Sequence, residues 1–399
     1  TASNNAAVGY QAGYSLTATG SNTLVGGNAG YTLTGTNNVG VGQASMYGSG
    51  DNNVAVGVAS LNGNTSGSSN TAIGHNALLS NTTASSNTAV GYQAGYTNTT
   101  GTQSTFSGYR SGYLNTTGSY NTAYGAYSLY SNTTGIQNVA IGHGALDVST
   151  TGSSNTAVGV NALGSSTTAD YNTAVGEQAL YSNTYASNNT ALGYRALYSN
   201  TTAGGNTAVG RDALYLNTVG VSNTAVGRQA GYDTTTGSYT TMIGYNAQPG
   251  AAGDDYEIVI SASTGITGKG SSTGYIYPAA GGVYQGNNST LWSVTSDARL
   301  KKNIVDNTEG LEKINAIRVR NFEYRVEEEI TELPKNQAIK KVGIQLGVIA
   351  QELQQVLPEC VKTESTGVMS IDADNLTWYM INAIKQLKAE FDAYKATHP

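Results

Sequence analysis

Ser296 and Lys301 stand five residues apart in the segment Thr295-Ser-Asp-Ala-Arg-Leu-Lys-Lys-Asn-Ile304. A serine beside a lysine can act as nucleophile and base. Lys301 must lose its proton to serve as base, which requires burial that lowers its pKa. The carbonyl within easiest reach of the Ser296 hydroxyl is that of Thr295, its own neighbour, so proximity comes from the chain itself. Attack there would give an ester, and hydrolysis of the ester would cut the chain between Thr295 and Ser296. Taken alone, the same residues are more simply read as the start of an ordinary helix capped by Ser296.

Other chemistry-bearing residues are sparse. Glycoside hydrolysis needs two carboxylates roughly 5–10 Å apart. Asp170 and Glu177 are seven residues apart and Asp212 is isolated, so solvated surface charge is the simpler reading of all three. His75 and His143 are too far apart along the chain to share a metal, and the single Cys360 excludes a Cys-rich metal site or an internal disulfide framework. Cys360 is expected to be a buried apolar residue. No cofactor or metal is expected.

The elements that must position these groups divide sharply by composition. Residues 1–250 hold 10 charged side chains, whereas residues 296–399 hold 30, so two architectures are joined. The whole chain of 399 residues has 51 Gly, 5 Pro and a net charge of -6. That excludes collagen, whose Gly recurs every third residue, and disorder driven by high charge. A pI near 5.1 does not fit a basic nucleic-acid binder, and no apolar run is long enough to span a membrane. The chain starts at Thr1 rather than Met, which suggests processing or a region upstream.

The first architecture is a repeat. Asn-Thr-Ala-Val-Gly or a close variant begins at 70 and then every 17 residues to 240, with looser copies at 5, 22, 38 and 53. The fifth position is Gly in all fifteen copies, which points to a positive φ or to a close approach that a Cβ would block. The eighth is always Ala or Ser, implying a tight internal site. Each repeat has too few bulky apolar residues to bury a face alone, and stacking coils solves this. The five-residue Asn-Thr-Ala-Val-Gly is of strand length, and Asn-Thr-Thr-Gly is turn chemistry. The many Asn-x-Thr triplets are repeated turns, not glycosylation signals. Strands about 4.8 Å apart give a mainly β fold, a β-solenoid or β-roll shaft on the order of 70 Å long. Tyr fills the tenth position in ten copies, for example Tyr96, Tyr113 and Tyr130. The ladder either packs coils or subunits together, the simpler reading, or offers rings to sugars.

These repeats resemble the head repeats of trimeric autotransporter adhesins and the Asn-Thr-Ala-x-Gly repeats of phage tail-fibre proteins, over residues 1–247. The resemblance implies a homotrimeric shaft. No membrane-anchoring barrel follows the repeats, which favours the tail fibre. Between 248 and 295 the period fades. Tyr256–Ile260 and Thr273–Tyr277 read as strands, while Gly281–Gly286 and Asn287–Thr290 read as turns leading to Trp292, together a small β-rich neck.

The segment from Thr295 resembles the Ser-Asp-x-Arg-Leu-Lys-x-Asn-Ile signature of the intramolecular chaperone auto-processing domain, peptidase family S74. Gly347-Val-Ile-Ala-Gln-Glu-Leu353, Val356-Leu-Pro-Glu359 and Leu376–Leu387 continue the resemblance, so that it spans residues 296–399, an α+β domain with a long terminal helix. It implies that Ser296 is the nucleophile and Lys301 its base, that Asp297 and Arg299 support the geometry, and that the domain trimerises, templates the fibre and is then cut off. Leu376, Met380, Ala383, Leu387, Phe391 and Tyr394 have near-heptad spacing, suited to a seam with sister subunits. Glu327–Glu332 and Gln345–Leu353 suggest no separate chemistry.

The expectation is therefore a homotrimeric phage tail-fibre or receptor-binding protein of the virion, present in the host cytoplasm during assembly. Its partners would be itself, a host-surface glycan or protein, and other tail proteins through a region upstream of Thr1, with no nucleic acid and no membrane insertion. The alternatives are a polysaccharide depolymerase tailspike and a cellular trimeric adhesin.

Overall fold

In a computed structural model the chain separates into two compact units, Thr1–Thr295 and Ser296–Pro399. The structure describes residues 4–16, 20–278, 283–286, 293–294, 298–332, 339, 341–363 and 367–398.

The first unit is a β-solenoid. Each of the fifteen repeats contributes one strand, from β1 (Ala6–Val8) to β15 (Thr241–Ile243), and each strand pairs in parallel with the next in strict register, as in Thr156↔Thr173 and Val158↔Val175. The strands are three residues long rather than five, because the chain bends at the fifth-position Gly and the first-position Asn lies outside the ladder. From β2 onward the middle residue points inward and is buried, for example Ala72, Ala89 and Ala174, while the flanking residues face out.

Two further strands, β16 (Ile258–Ser261) and β17 (Gly274–Tyr277), extend the same sheet in parallel, so the stack runs beyond the last recognisable repeat. Glu257, at the position held by Asn in the repeats, is fully buried and accepts backbone N–H groups from Gly250, Lys269 and Gly270. Val283–Gln285 (β18), expected as a turn, is a strand antiparallel to β17 with Tyr275 opposite Tyr284, and Ser293–Val294 (β19) pairs with it. Alternating β-branched and aromatic content outweighs the flanking glycines there. The expected turn at Asn287–Thr290 and Trp292 lie outside the described residues.

The coil is closed by two buried asparagine ladders. At the first position, Asn70 Oδ1 accepts the backbone N–H of Asn87 at 3.0 Å, and Asn70 Nδ2 donates to Ala84 O at 2.9 Å. At the twelfth, Asn115 Nδ2 donates to Gly118 O at 2.9 Å and to Asn98 Oδ1 of the preceding coil at 2.7 Å. A buried amide without partners costs several kcal/mol in principle, and here each coil supplies the partners of the next. Ser149, Ser166 and Thr234 interrupt the second ladder, and Asn132 Oδ1 and Asn217 Oδ1, one coil before Ser149 and Thr234, are left without a donor, as the Ser149 and Ser166 hydroxyls are left without a partner.

The core between the ladders obeys a volume rule. Most coils carry Ala at the third position and Leu at the ninth, as in Ala174 and Leu180, both fully buried. Where the ninth position is Gly, a neighbouring third position is large. A Cβ on Gly95 or Gly112 would meet the Phe106 ring at 2.8 or 2.1 Å, one on Gly30 would meet Leu24 at 2.6 Å, and one on Gly231 would meet Met242 at 2.8 Å. The large third-position side chain fills the space that the absent leucine side chains leave, as close packing demands.

Both reasons offered for the invariant fifth-position glycine are present. Gly176 has a φ of +135°, and a Cβ there would lie 2.5 Å from Gly193 O. The fifteenth position separates them. A Cβ on Gly135 would be crowded to 2.2 Å by Gly152 O, but its φ is not positive, and Ala84, Ala169, Ala186 and Ala203 occupy that position in other coils. Crowding alone is therefore tolerated by small adjustments. A φ near +50° is tolerated elsewhere by Leu78 and Asn76, so it is the φ near +135°, far beyond that value, that makes position five obligatory glycine.

The second unit places α1 (Leu311–Ala316), β20 (Arg320–Phe322), β21 (Gln345–Gly347), α2 (Ala350–Gln354), β22 (Val361–Thr363), β23 (Met369–Ile371) and the 25-residue α3 (Ala373–Thr397) in that order. β20 pairs antiparallel with β21, and β22 with β23. Leu353, Leu357 and Cys360 form its small core with Leu376 and Tyr379 of α3, so Cys360 is buried as an apolar residue.

Candidate functional site

Thr295, Ser296 and Asp297 lie outside the described residues. Arg299 sits in the 3-10 turn Ala298–Leu300, and the backbone N–H of Lys301 closes that turn by donating to Ala298 O at 3.1 Å. Both Arg299 and Lys301 have exposed side chains in the single chain. The burial that a lysine base requires is thus not provided by the described residues of one chain.

The domain behind this segment is held by charge pairs that the sequence did not single out. Arg320 on β20 donates twice to Glu352 on α2, at 2.6 and 3.1 Å, and Arg318 lies 3.6 Å from the same carboxylate. The hydrogen bond from Arg320 holds Glu352 below the ordinary glutamate range. Glu352 belongs to the Gly347–Leu353 motif, whose function here is to tie α2 to the β20–β21 hairpin. Asp372 caps α3 by accepting the N–H of Asn375 at 3.2 Å, and the Lys362 ammonium, 2.8 Å away, lowers its pKa. Tyr379 donates to the Glu359 carboxylate.

The expected seam on α3 divides. Leu376 and Ala383 face their own domain, and Gly310 approaches so closely that a Cβ there would lie 2.4 Å from Ala383 N. Met380, Ile384, Leu387, Phe391 and Tyr394 are exposed. Their spacing of 4, 3, 4 and 3 residues is the heptad pattern, with Ile384 in place of Ala383.

In the solenoid the carboxylates do structural work. Asp170 accepts the N–H of Ser153 at 2.7 Å, and Asp212 pairs with Arg211 at 3.1 Å. Glu177 stands exposed in its own coil. His75 stacks on Tyr92 at 5.4 Å, and His143 meets Tyr127 edge-on at 5.9 Å. Among the described residues no three His, Cys, Asp or Glu side chains are grouped to hold a metal.

The tenth-position tyrosines stack directly on one another. Tyr96, Tyr113 and Tyr130 are 5.0 and 5.2 Å apart, and Tyr181, Tyr198, Tyr215 and Tyr232 continue at 5.5, 5.2 and 5.1 Å, all within 11° of parallel. Each ring face inside a run is covered by its neighbour. The ladder therefore seals coil to coil, and sugars cannot stack on its interior rings.

Residues 296–362 match the family described as Peptidase_S74, chaperone of endosialidase. No curated protein and no solved structure matches the chain. Among the described residues no helix is long and apolar enough to cross a membrane. The chain thus carries a chaperone-of-endosialidase domain, of the auto-processing S74 type, after a long β-solenoid in the sequence.

Proposed function

We propose that the chain is a phage tail-fibre or receptor-binding protein, with residues 1–247 as shaft, 248–295 as neck and 296–399 as an assembly domain that cuts itself off. The observation that carries this reading is the family match beginning at residue 296, the residue at which the second compact unit also begins. S74 chaperone domains act in trimeric proteins, and both units carry apolar surface suited to sister chains. The solenoid carries an aliphatic at the outward fourth position in thirteen of its fifteen coils, Ser107 and Tyr124 being the exceptions; Ile73, Val90, Ile141 and Val226 are each about two-fifths exposed. The second unit shows the heptad stripe of α3.

In the proposed reaction Ser296 Oγ attacks the Thr295 carbonyl carbon while Lys301 takes the hydroxyl proton. The peptide C–N bond breaks, the Ser296 nitrogen is protonated, and an ester joins the two residues until water hydrolyses it. Asp297 and Arg299 support this geometry. Since Lys301 is exposed in one chain, trimer formation would supply the burial that makes it a base, which couples cutting to assembly. Ser296→Ala and Lys301→Ala should each assemble but remain at full length by intact mass, while wild type yields fragments ending at Thr295 and starting at Ser296. Cutting of Ser296→Ala at that bond would refute the assignment.

A further inference from the structure

All four basic residues of residues 1–250, Arg110, Arg195, Arg211 and Arg228, fall at the sixth or seventh repeat position, beside the tyrosine columns. Arg110 and Arg195 are set in the same arrangement. The Arg110 guanidinium lies 5.4 and 5.3 Å from the Tyr109 and Tyr113 rings of its own coil. That of Arg195 lies 4.9 and 5.5 Å from Tyr194 and Tyr198. Each donates its Nε–H to a glutamine one coil earlier, Gln93 or Gln178, at 2.8 Å. Two rings and an amide thus hold each guanidinium, with one of its five N–H groups used. Both arginines are part-exposed. Among the described residues neither has a carboxylate partner, Asp212 being held by Arg211 at 3.1 Å.

We propose that each of these two modules is a subsite for a carboxylated sugar, and that together they bind an extended acidic polysaccharide lying along the shaft. The inference rests on the reading of the chain as a surface-binding fibre. A guanidinium fork matches a carboxylate bidentately, and a site rich in donors selects a ligand rich in acceptors. Recognition runs through polar groups because the ladder rings cover one another. The modules are 85 residues apart, five coils, hence about 24 Å at the strand spacing. Two identical sites along one repeat axis suit a periodic polymer better than a folded protein. Glu177, exposed one coil before Arg195, weakens the second module, so Arg110 is the stronger subsite.

The test is affinity electrophoresis of the full chain through gels containing sodium polygalacturonate, alginate, hydroxyethyl cellulose or polyglutamate. Wild type should be retarded by at least one of the two acidic polysaccharides and by neither of the other polymers. Losing one charge-assisted contact of about 1.5–3 kcal/mol predicts that Arg110→Gln weakens binding roughly tenfold or more. Arg195→Gln should weaken it less, and the double variant should run as in plain gel. Unchanged melting of the variants separates binding from a structural role of the cation–π contacts. Full retardation of the double variant, equal retardation by hydroxyethyl cellulose or polyglutamate, or none by either acidic polysaccharide overturns the proposal. The fibre reading has its own tests in cleavage and assembly, so the two can fail separately.

Discussion

Phe106 is the most informative single side chain of the solenoid. It is fully buried at a third position where most coils have Ala, and its ring occupies the slots opposite Gly95 and Gly112. Phe106→Ala removes about 2–3 kcal/mol of burial and leaves a cavity whose walls are stiff coils, so the total loss should be about 3–5 kcal/mol. The rescue is specified by the other coils. Gly95 and Gly112 have φ of 59° and 58°, the same left-handed conformation that Leu78 and Leu129 adopt at 48° and 51°. Adding Gly95→Leu and Gly112→Leu to Phe106→Ala rebuilds the common Ala-plus-Leu coil and should recover stability to within about 1 kcal/mol. Gly112→Leu alone, with Phe106 present, should overpack and cost about 1–3 kcal/mol. Because long repeat arrays depart from two-state unfolding, the readout is hydrogen exchange by mass spectrometry on peptides from coils 87–120. Local opening energies within 1 kcal/mol of wild type in Phe106→Ala, or a triple variant no better than the single one, would refute the volume rule.

The glycine argument predicts that Gly176→Ala costs about 1–3 kcal/mol through its φ while Gly135→Ala is nearly neutral; equal melting curves for the two variants would show that crowding, not φ, sets the requirement. Burial raises the Asp147 pKa, with the nearby His143 opposing. A raised folded-state pKa lowers stability above it and returns that stability as pH falls through it. Asp147→Asn should therefore melt higher than wild type at pH 7, and the gap should close below about pH 4, near the unfolded value. Leu387→Asp changes a side chain exposed in the single chain, so circular dichroism should show the helix intact while light scattering shows the assembly lost and intact mass shows no cut.

Much of the solenoid was legible because its signals repeat. Gly at position five and Ala or Ser at position eight, read down fifteen copies, gave the close internal packing and the coil stack. The asparagine ladders were missed, since Asn-Thr-Thr-Gly is also good turn chemistry and only three dimensions show that its amide points inward. The left-handed leucines at position nine had a visible signal: Leu alternates there with Gly13, Gly30, Gly95, Gly112 and Gly231, as expected of a position with positive φ. The pairing of those glycines with Leu24, Phe106 and Met242 was also present in the sequence, as covariation within one chain. The second unit was less legible because nothing in it repeats. The heptad spacing on α3 was readable, but Ala383 and Ile384 are adjacent, and only the close approach of Gly310 decides which one faces the domain.

The repeat that makes the shaft easy to extend also makes it easy to misalign. Thr-Ala-Val strands are nearly interchangeable from coil to coil. In the proposed trimer, chains meeting along their outer aliphatic stripes could pair at any stagger of one coil, about 4.8 Å, with almost the same contacts. Sheet register is weakly specified wherever faces are alike. Within a chain the stack is fixed by connectivity, and Leu24, Phe106 and Met242 mark particular coils but are fully buried, so on the outer stripe only Ser107 and Tyr124 break the aliphatic repeat. Two adjacent marks among fifteen coils specify the stagger only weakly, and a non-repetitive end specifies it better. In the proposed trimer, a non-repetitive domain with its own core and an exposed apolar stripe on α3 would define one alignment. Once the coils have associated from that end, the sum of many small contacts holds the stack. Under the proposed cleavage, cutting the assembly domain away would leave the shaft in place and remove the route by which it could come apart.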